Sequence, residues 1–348
     1  MESRKILLVI LFLFYFYFNS VEVKAQAKVT IKMATLAPKG STMMDIMEEY
    51  LSEIRQQTNN EVDFKIYWGG QQGDEKNVLR KMRIGQLHGG AFTGSGLGQI
   101  VPEIRVTEIP FLFRNAEEVA YVRKKLEAPM NKYCEDRGLI VLGWYDIGFL
   151  YGFSNVPVNS LEVLRKQKCW APSDDPLAIA SFEALGLTPI PLSFTDVLTS
   201  VSTNLINTAA MTPFGAVAFH WYAKFKYMSD YPIMNLIGAA VVSKNIWDKI
   251  SKESQQKILE ISKDYINRFT KDSENLNNKG IEVLKKEGVE IIHFEQEGSA
   301  GDFYEEAGKK ARESQIGKLY SKELLDKALL YVDEYRKNNP ESKFAIIK

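Results

Sequence analysis

The stretch DIGFLYGFSN, residues 146–155, is aromatic, extended in character and interrupted by Gly148 and Gly152. It directly follows 139–144, whose apolar residues read as a strand, and the helical pattern of 116–134 before that. We read it as the strand that carries the chain out of a first lobe. Upstream, 28–34 alternates Val29, Ile31 and Met33 with polar residues at strand spacing. Ser41 or Thr42 then caps a helix with the apolar stripe Met43, Ile46, Met47, Leu51 and Ile54. A strand at 62–68, a helix at 74–83 and a strand at 87–93 continue the alternation. That order predicts an α/β lobe built on a parallel sheet with helices on its faces.

Downstream a second series begins: strand 168–171, helix 176–185, strand 188–191, helix 194–203, strand 205–211 and a helix after Pro213. Residues 237–243 read as a strand returning to the first lobe. The run 251–286 has no proline and keeps apolar residues at Ile258, Ile261, Phe269, Leu276 and Leu284. At 1.5 Å per residue such a helix is about 50 Å long, enough to lie across both lobes. The lobes are therefore expected at 26–150 plus 237–280 and at 151–236 plus 281–348.

The chain has 348 residues, more than one core usually supports, which agrees with two lobes. Its 44 basic residues balance 44 acidic ones, without the basic blocks that nucleic acid requires. Residues 1–25 place Arg4 and Lys5 before an apolar run and end on Val-Lys-Ala, the order of a secretory signal, with export, cleavage after Ala25 and a soluble mature protein starting at Gln26 expected. Cys134 and Cys169 fall in different expected lobes and read as free thiols, although an exported protein could pair them.

The stretch KCWAPSDDP, 168–176, sets a cysteine, a tryptophan and two aspartates where a strand runs into a helix. A Cys169 nucleophile would need His88, His220 or His293 as base, and none stands in a recognisable arrangement. Asp174 and Asp175 supply hard oxygens but no calcium-loop spacing, so they read as a helix cap and first-turn charge. The glycines of GGAFTGSGLG, 89–98, match neither phosphate-binding spacing and read as a close approach of backbone. No metal or cofactor is expected. What remains is a cleft formed where strand ends precede helix starts, the place where open α/β sheets bind small molecules.

At this point IKMATLAPKGS, TEIPFLFR, the KCWAP strand, FEALGLTPIPLSFTDV and NTAAMTPFGAV, taken in order, resemble the periplasmic solute-binding receptors of TRAP transporters, dicarboxylate type. The resemblance implies a two-lobe periplasmic binding protein fold with hinge strands and a long spanning helix. It implies a small organic ligand, delivery to TRAP membrane permease subunits, and no catalysis. In most members the strand resembles K-x-R-V-P and its arginine grips the ligand carboxylate; here Trp170 stands in that place, and Thr212 stands where many relatives have asparagine. Both departures point to a minority branch with a more apolar pocket. The expected ligand-binding residues are Gln71, Phe92, Thr93, Phe149, Tyr151, Trp170, Ser173, Asp174, Met211, Thr212, Phe214 and Trp221. The alternatives are a periplasmic enzyme using Asp174 or Asp175, and an interaction protein for a helical-repeat periplasmic partner. A monomer is expected.

Overall fold

The computed structural model describes residues 29–40, 42–173, 175–293 and 300–347. The expected signal segment and Asp174 lie outside the described residues. β1 (Val29–Thr35), α1 (Thr42–Gln57), β2 (Val62–Tyr67), α2 (Glu75–Arg83) and β3 (Gly89–Thr93) open the first lobe. α3 (Ala116–Asp136) leads into β4 (Leu139–Ser154), a single strand of 16 residues. Polar side chains start the helices where the sequence places them: Asp74 accepts from the N–H of Asn77 and Asn115 from that of Glu118, each at 2.9 Å.

β5 (Trp170–Pro172), α4 (Pro176–Ala184), β6 (Ile190–Leu192), β7 (Thr208–Met211), α5 (Pro213–Ala218) and β8 (Tyr227–Ser229) build the second lobe. β9 (Met234–Ser243) returns, and α6 (Lys252–Lys286) is 35 residues long. β10 (Glu290–Ile292), α7 (Ala300–Glu313) and α8 (Lys322–Asn338) complete the described chain.

The main sheet runs β10-β8-β4-β9-β3-β1-β2, with β7 also on β4. It is mixed rather than parallel: β1 pairs parallel with β2 and β3, whereas β9 is antiparallel to both β3 and β4. The returning strand 234–243 causes the difference, since it enters between β3 and β4 from the opposite direction. Residues 139–150 of β4 pair with β9, and 151–154 pair with β7 and β8, so this one strand belongs to both halves of the sheet. Its register with β9 slips between Asp146 and Gly148, and Gly148 sits at φ +120°, a conformation that side chains rarely adopt.

α6 is tied to this crossing. Asn277 donates to the carbonyl of Ile147 at 2.9 Å and accepts from the N–H of Phe214 at 3.1 Å, and the Ser273 hydroxyl donates to Ile147 at 3.0 Å. Gly280 allows the start of α5 to lie against the helix, because a Cβ there would meet Phe214 N at 2.9 Å. The long helix therefore touches the shared strand and the second lobe at once.

Two elements differ from the sequence reading. The helix expected after Pro213 is short and does not run on through the aromatic residues: α5 ends at Ala218, His220 takes a left-handed φ of 56°, and a short 3-10 turn, Trp221–Ala223, follows. β10 pairs with β8 and α7 packs on α4, so these stay with the second lobe, whereas residues 322–338, expected there too, do not. α8 packs on α3, where Arg336 Nε donates to the buried Glu118 at 2.6 Å.

Candidate functional site

A cavity of about 460 Å³ opens between the ends of β1, β3, β5 and β7, the shared strand β4, and the helices α4, α5 and α6. Its lining is overwhelmingly apolar. Of the expected site residues, Phe92, Thr93, Trp170, Met211, Thr212 and Phe214 lie on its wall.

Trp170 is 6 % exposed, and its indole N–H donates to the carbonyl of Leu192 at 3.1 Å. The donor is thus spent within the protein, and what the ring presents to the cavity is carbon. Phe194 stands 6.3 Å away, tilted, and Phe219 packs edge-on to Phe194 at 4.8 Å. Thr212 lies at the start of α5, where its hydroxyl oxygen accepts from the N–H of Gly215 at 3.1 Å. That oxygen caps a helix, as Asp175 does for α4 by accepting from Leu177 and Ala178, both at 3.1 Å.

Other expected residues do not reach the wall. On β4 the side chains alternate: Leu150, Gly152 and Ser154 line the cavity, so Phe149 and Tyr151 face the other way. Both are buried, and the Tyr151 hydroxyl donates to Ala345 at 2.8 Å. Trp221 is fully buried behind Trp170, edge-on at 6.3 Å, and stacked with Phe194. Ser173 turns away after β5 and is absent from the lining, and Gln71 is exposed in the turn after β2.

The sequence reading missed Glu75, Arg105, Phe182, Phe194 and Phe219, which all line the cavity. Arg105 is 2 % exposed, and its Nη2 donates to both carboxylate oxygens of Asp175, at 3.1 and 2.9 Å, while Nη1 donates to Glu108. Burial works against the Arg105 charge, but Asp175 and Glu108 outweigh it and hold its pKa above the ordinary value. Glu75 accepts from the N–H and hydroxyl of Thr93 at 2.5 and 2.7 Å, and burial pushes its carboxyl up to about 7. A sequence signal existed for Arg105 and Glu108: both stand inside the otherwise apolar run IRVTEIPFLF, where a buried charge needs a partner.

Chemistry at the cavity is limited. Asp175 has both oxygens committed to Arg105 and the α4 start. Cys169 lines the wall as a free thiol that burial pushes up to about 12, far from the thiolate a nucleophile needs. Among the described residues no group of His, Cys, Asp and Glu could hold a metal ion, and no helix is long and apolar enough to cross a membrane.

Residues 33–316 match the family model for the bacterial extracellular solute-binding proteins, family 7. The chain belongs to that family. It is similar to the protein YiiZ of Salmonella typhimurium, 24% identical over 205 residues, which are 58% of this chain and 62% of that one. It is similar to the sialic acid-binding periplasmic protein SiaP of Vibrio cholerae, 22% identical over 233 residues, 65% of this chain and 70% of that one. The chain thus spans about 62% of the length of the first curated relatives it matches. A TRAP periplasmic solute-binding protein from Xanthobacter autotrophicus, solved with bound β-D-galacturonate, aligns with TM-score 0.80 at 20% identity over 87% of this chain and 99% of that one.

The alignment with that structure shows the same two-lobe α/β fold. Family members are solute-binding receptors, and TRAP solute-binding proteins are periplasmic. In this family member the cavity wall holds an indole at position 170 and a guanidinium, Arg105, that is paired internally.

Proposed function

We propose that the protein is an extracytoplasmic receptor that closes on an apolar or weakly polar small molecule between its lobes and hands it to a TRAP-type membrane permease. The carrying observation is the cavity itself: about 460 Å³ of mostly apolar wall whose cation, Arg105, is already paired. Burial of apolar ligand surface supplies the affinity there, since polar donors are few and largely committed. Phe92, Trp170, Met211 and Phe214 form the packing surface of the ligand, and Thr93 and Thr212 are its polar neighbours.

The relative SiaP is a sialic acid-binding protein, and the Xanthobacter structure holds galacturonate. Transport by the same mechanism carries over to this chain, with the ligand class changed by Trp170. Residues 1–25 direct export and are removed after Ala25. The lobes divide at 26–150 plus 237–280 and 151–236 plus 281–320, with β4, β9 and α6 as the crossing elements. The ligand is bound one to one and returned unchanged; turnover would overturn this reading.

Thermal unfolding against a panel of uncharged apolar metabolites and small organic acids tests the proposal. A ligand at 100 times its dissociation constant adds about 2.7 kcal/mol. Stabilisation by apolar compounds supports the reading, and stabilisation only by acids refutes it.

A further inference from the structure

Arg105 is the only cation among the described residues that line the cavity. Both of its terminal nitrogens are engaged, Nη2 by the two oxygens of Asp175 and Nη1 by Glu108. Asp175 is 4 % exposed and is also held from the other side by the first N–H groups of α4. Glu108 accepts from Ile237 N–H at 2.8 Å. On the cavity wall itself the carboxyls are those of Asp175 and Glu75, with Glu108 behind Arg105.

A guanidinium gripping a carboxylate with paired hydrogen bonds is the geometry by which proteins recognise organic acids. Here the carboxylate is the protein's own. We propose that Asp175 permanently occupies this acid-recognition position, and that the Arg105–Asp175 pair makes the cavity reject carboxylates and select uncharged apolar ligands. The inference rests on the cavity being the ligand site. An incoming carboxylate has two options. It can lie against apolar wall, where a desolvated charge finds no partner. It can displace Asp175, which leaves that carboxylate enclosed without its counter-charge, so one ion pair is exchanged for another at the cost of a second buried charge. An uncharged ligand meets neither penalty.

The experiment follows displacement of N-phenyl-1-naphthylamine, an uncharged fluorescent apolar probe, from the purified protein by 1-dodecanol and by dodecanoate, below their micelle thresholds and at a pH where the acid is ionised. The wild-type protein is expected to bind dodecanol at least tenfold more tightly than dodecanoate. Asp175→Asn keeps the capping oxygen and the side-chain shape but frees the guanidinium. It is expected to raise dodecanoate affinity at least tenfold with dodecanol little changed, and adding Arg105→Gln removes the gain. Equal affinity of the wild type for acid and alcohol overturns the proposal, as does an unchanged ratio in folded Asp175→Asn. The wild-type ratio decides the matter alone if that variant does not fold. Binding of neither the probe nor either competitor overturns the receptor reading instead, and this proposal with it.

Discussion

Trp170 donates its indole N–H to the carbonyl of Leu192 at 3.1 Å, binding β5 to β6 through a side chain as well as through their parallel pairing. The bond fixes the ring, so that its face rather than its donor meets the cavity. Trp170→Arg places a cation among Phe194, Trp221 and apolar wall, and weakens binding of an uncharged apolar ligand at least tenfold. Trp170→Phe keeps an aromatic face but removes one of two hydrogen bonds to the Leu192 carbonyl, which still accepts from the N–H of Ser173 at 3.1 Å, costing about 0.5–1.5 kcal/mol of stability. Probe titration and urea unfolding read the two effects, and unchanged affinity in Trp170→Arg would remove this ring from the site.

Gly148 turns β4 at the register slip, with φ +120°. A Cβ there would lie 2.5 Å from the Asn277 amide nitrogen, which donates to the carbonyl of Ile147. Gly148→Ala therefore strains the backbone and disturbs the tie between β4 and α6, with an expected loss of about 1–3 kcal/mol. Urea denaturation measures it. A midpoint equal to wild type would show that the strand bends without needing glycine.

The first lobe was largely legible in the sequence, because Val29, Ile31 and Met33 keep a period of two and the caps Asp74 and Asn115 sit where helices begin. The long helix followed from an uninterrupted apolar stripe. The antiparallel insertion of β9 was not legible, since strand direction is a tertiary choice that local pattern does not encode. The cavity wall was half legible. The extended character of 146–155 was evident, but the bulge before Gly148 decides which of Phe149 and Leu150 faces the ligand space, and a slip of one residue exchanges the faces. Arg105 and Asp175 are 70 positions apart, and nothing local announces their pairing.

Glu75 titrates in the folded protein at about 7, raised mainly by burial against the N–H and hydroxyl of Thr93, whose hydrogen bonds lower it. A raised carboxyl favours folding most below its unfolded value, near 4.5, and that contribution is lost as pH rises through about 7. Wild-type stability should thus fall between pH 5 and 8 more steeply than that of Glu75→Gln. The difference is about 2 kcal/mol once partial exposure is allowed for. Parallel pH profiles of the two proteins would show that Glu75 is ionised throughout.

Cys134 and Cys169 are both buried and free, and burial pushes each thiol up to about 12. Neither should react with a disulfide reagent at pH 8 in the folded state, and both should react at once in guanidinium chloride. A fast-reacting thiol in native protein would contradict the packing around β5 or α3.

Native mass spectrometry of the protein isolated from cells that make it, followed by release and extraction of whatever it carries, tests the receptor most directly. The expected result is one small molecule per chain, released intact on denaturation, uncharged and soluble in organic solvent. A polar carboxylic acid released from the same protein would contradict both the role given to Trp170 and the closure of Arg105 by Asp175.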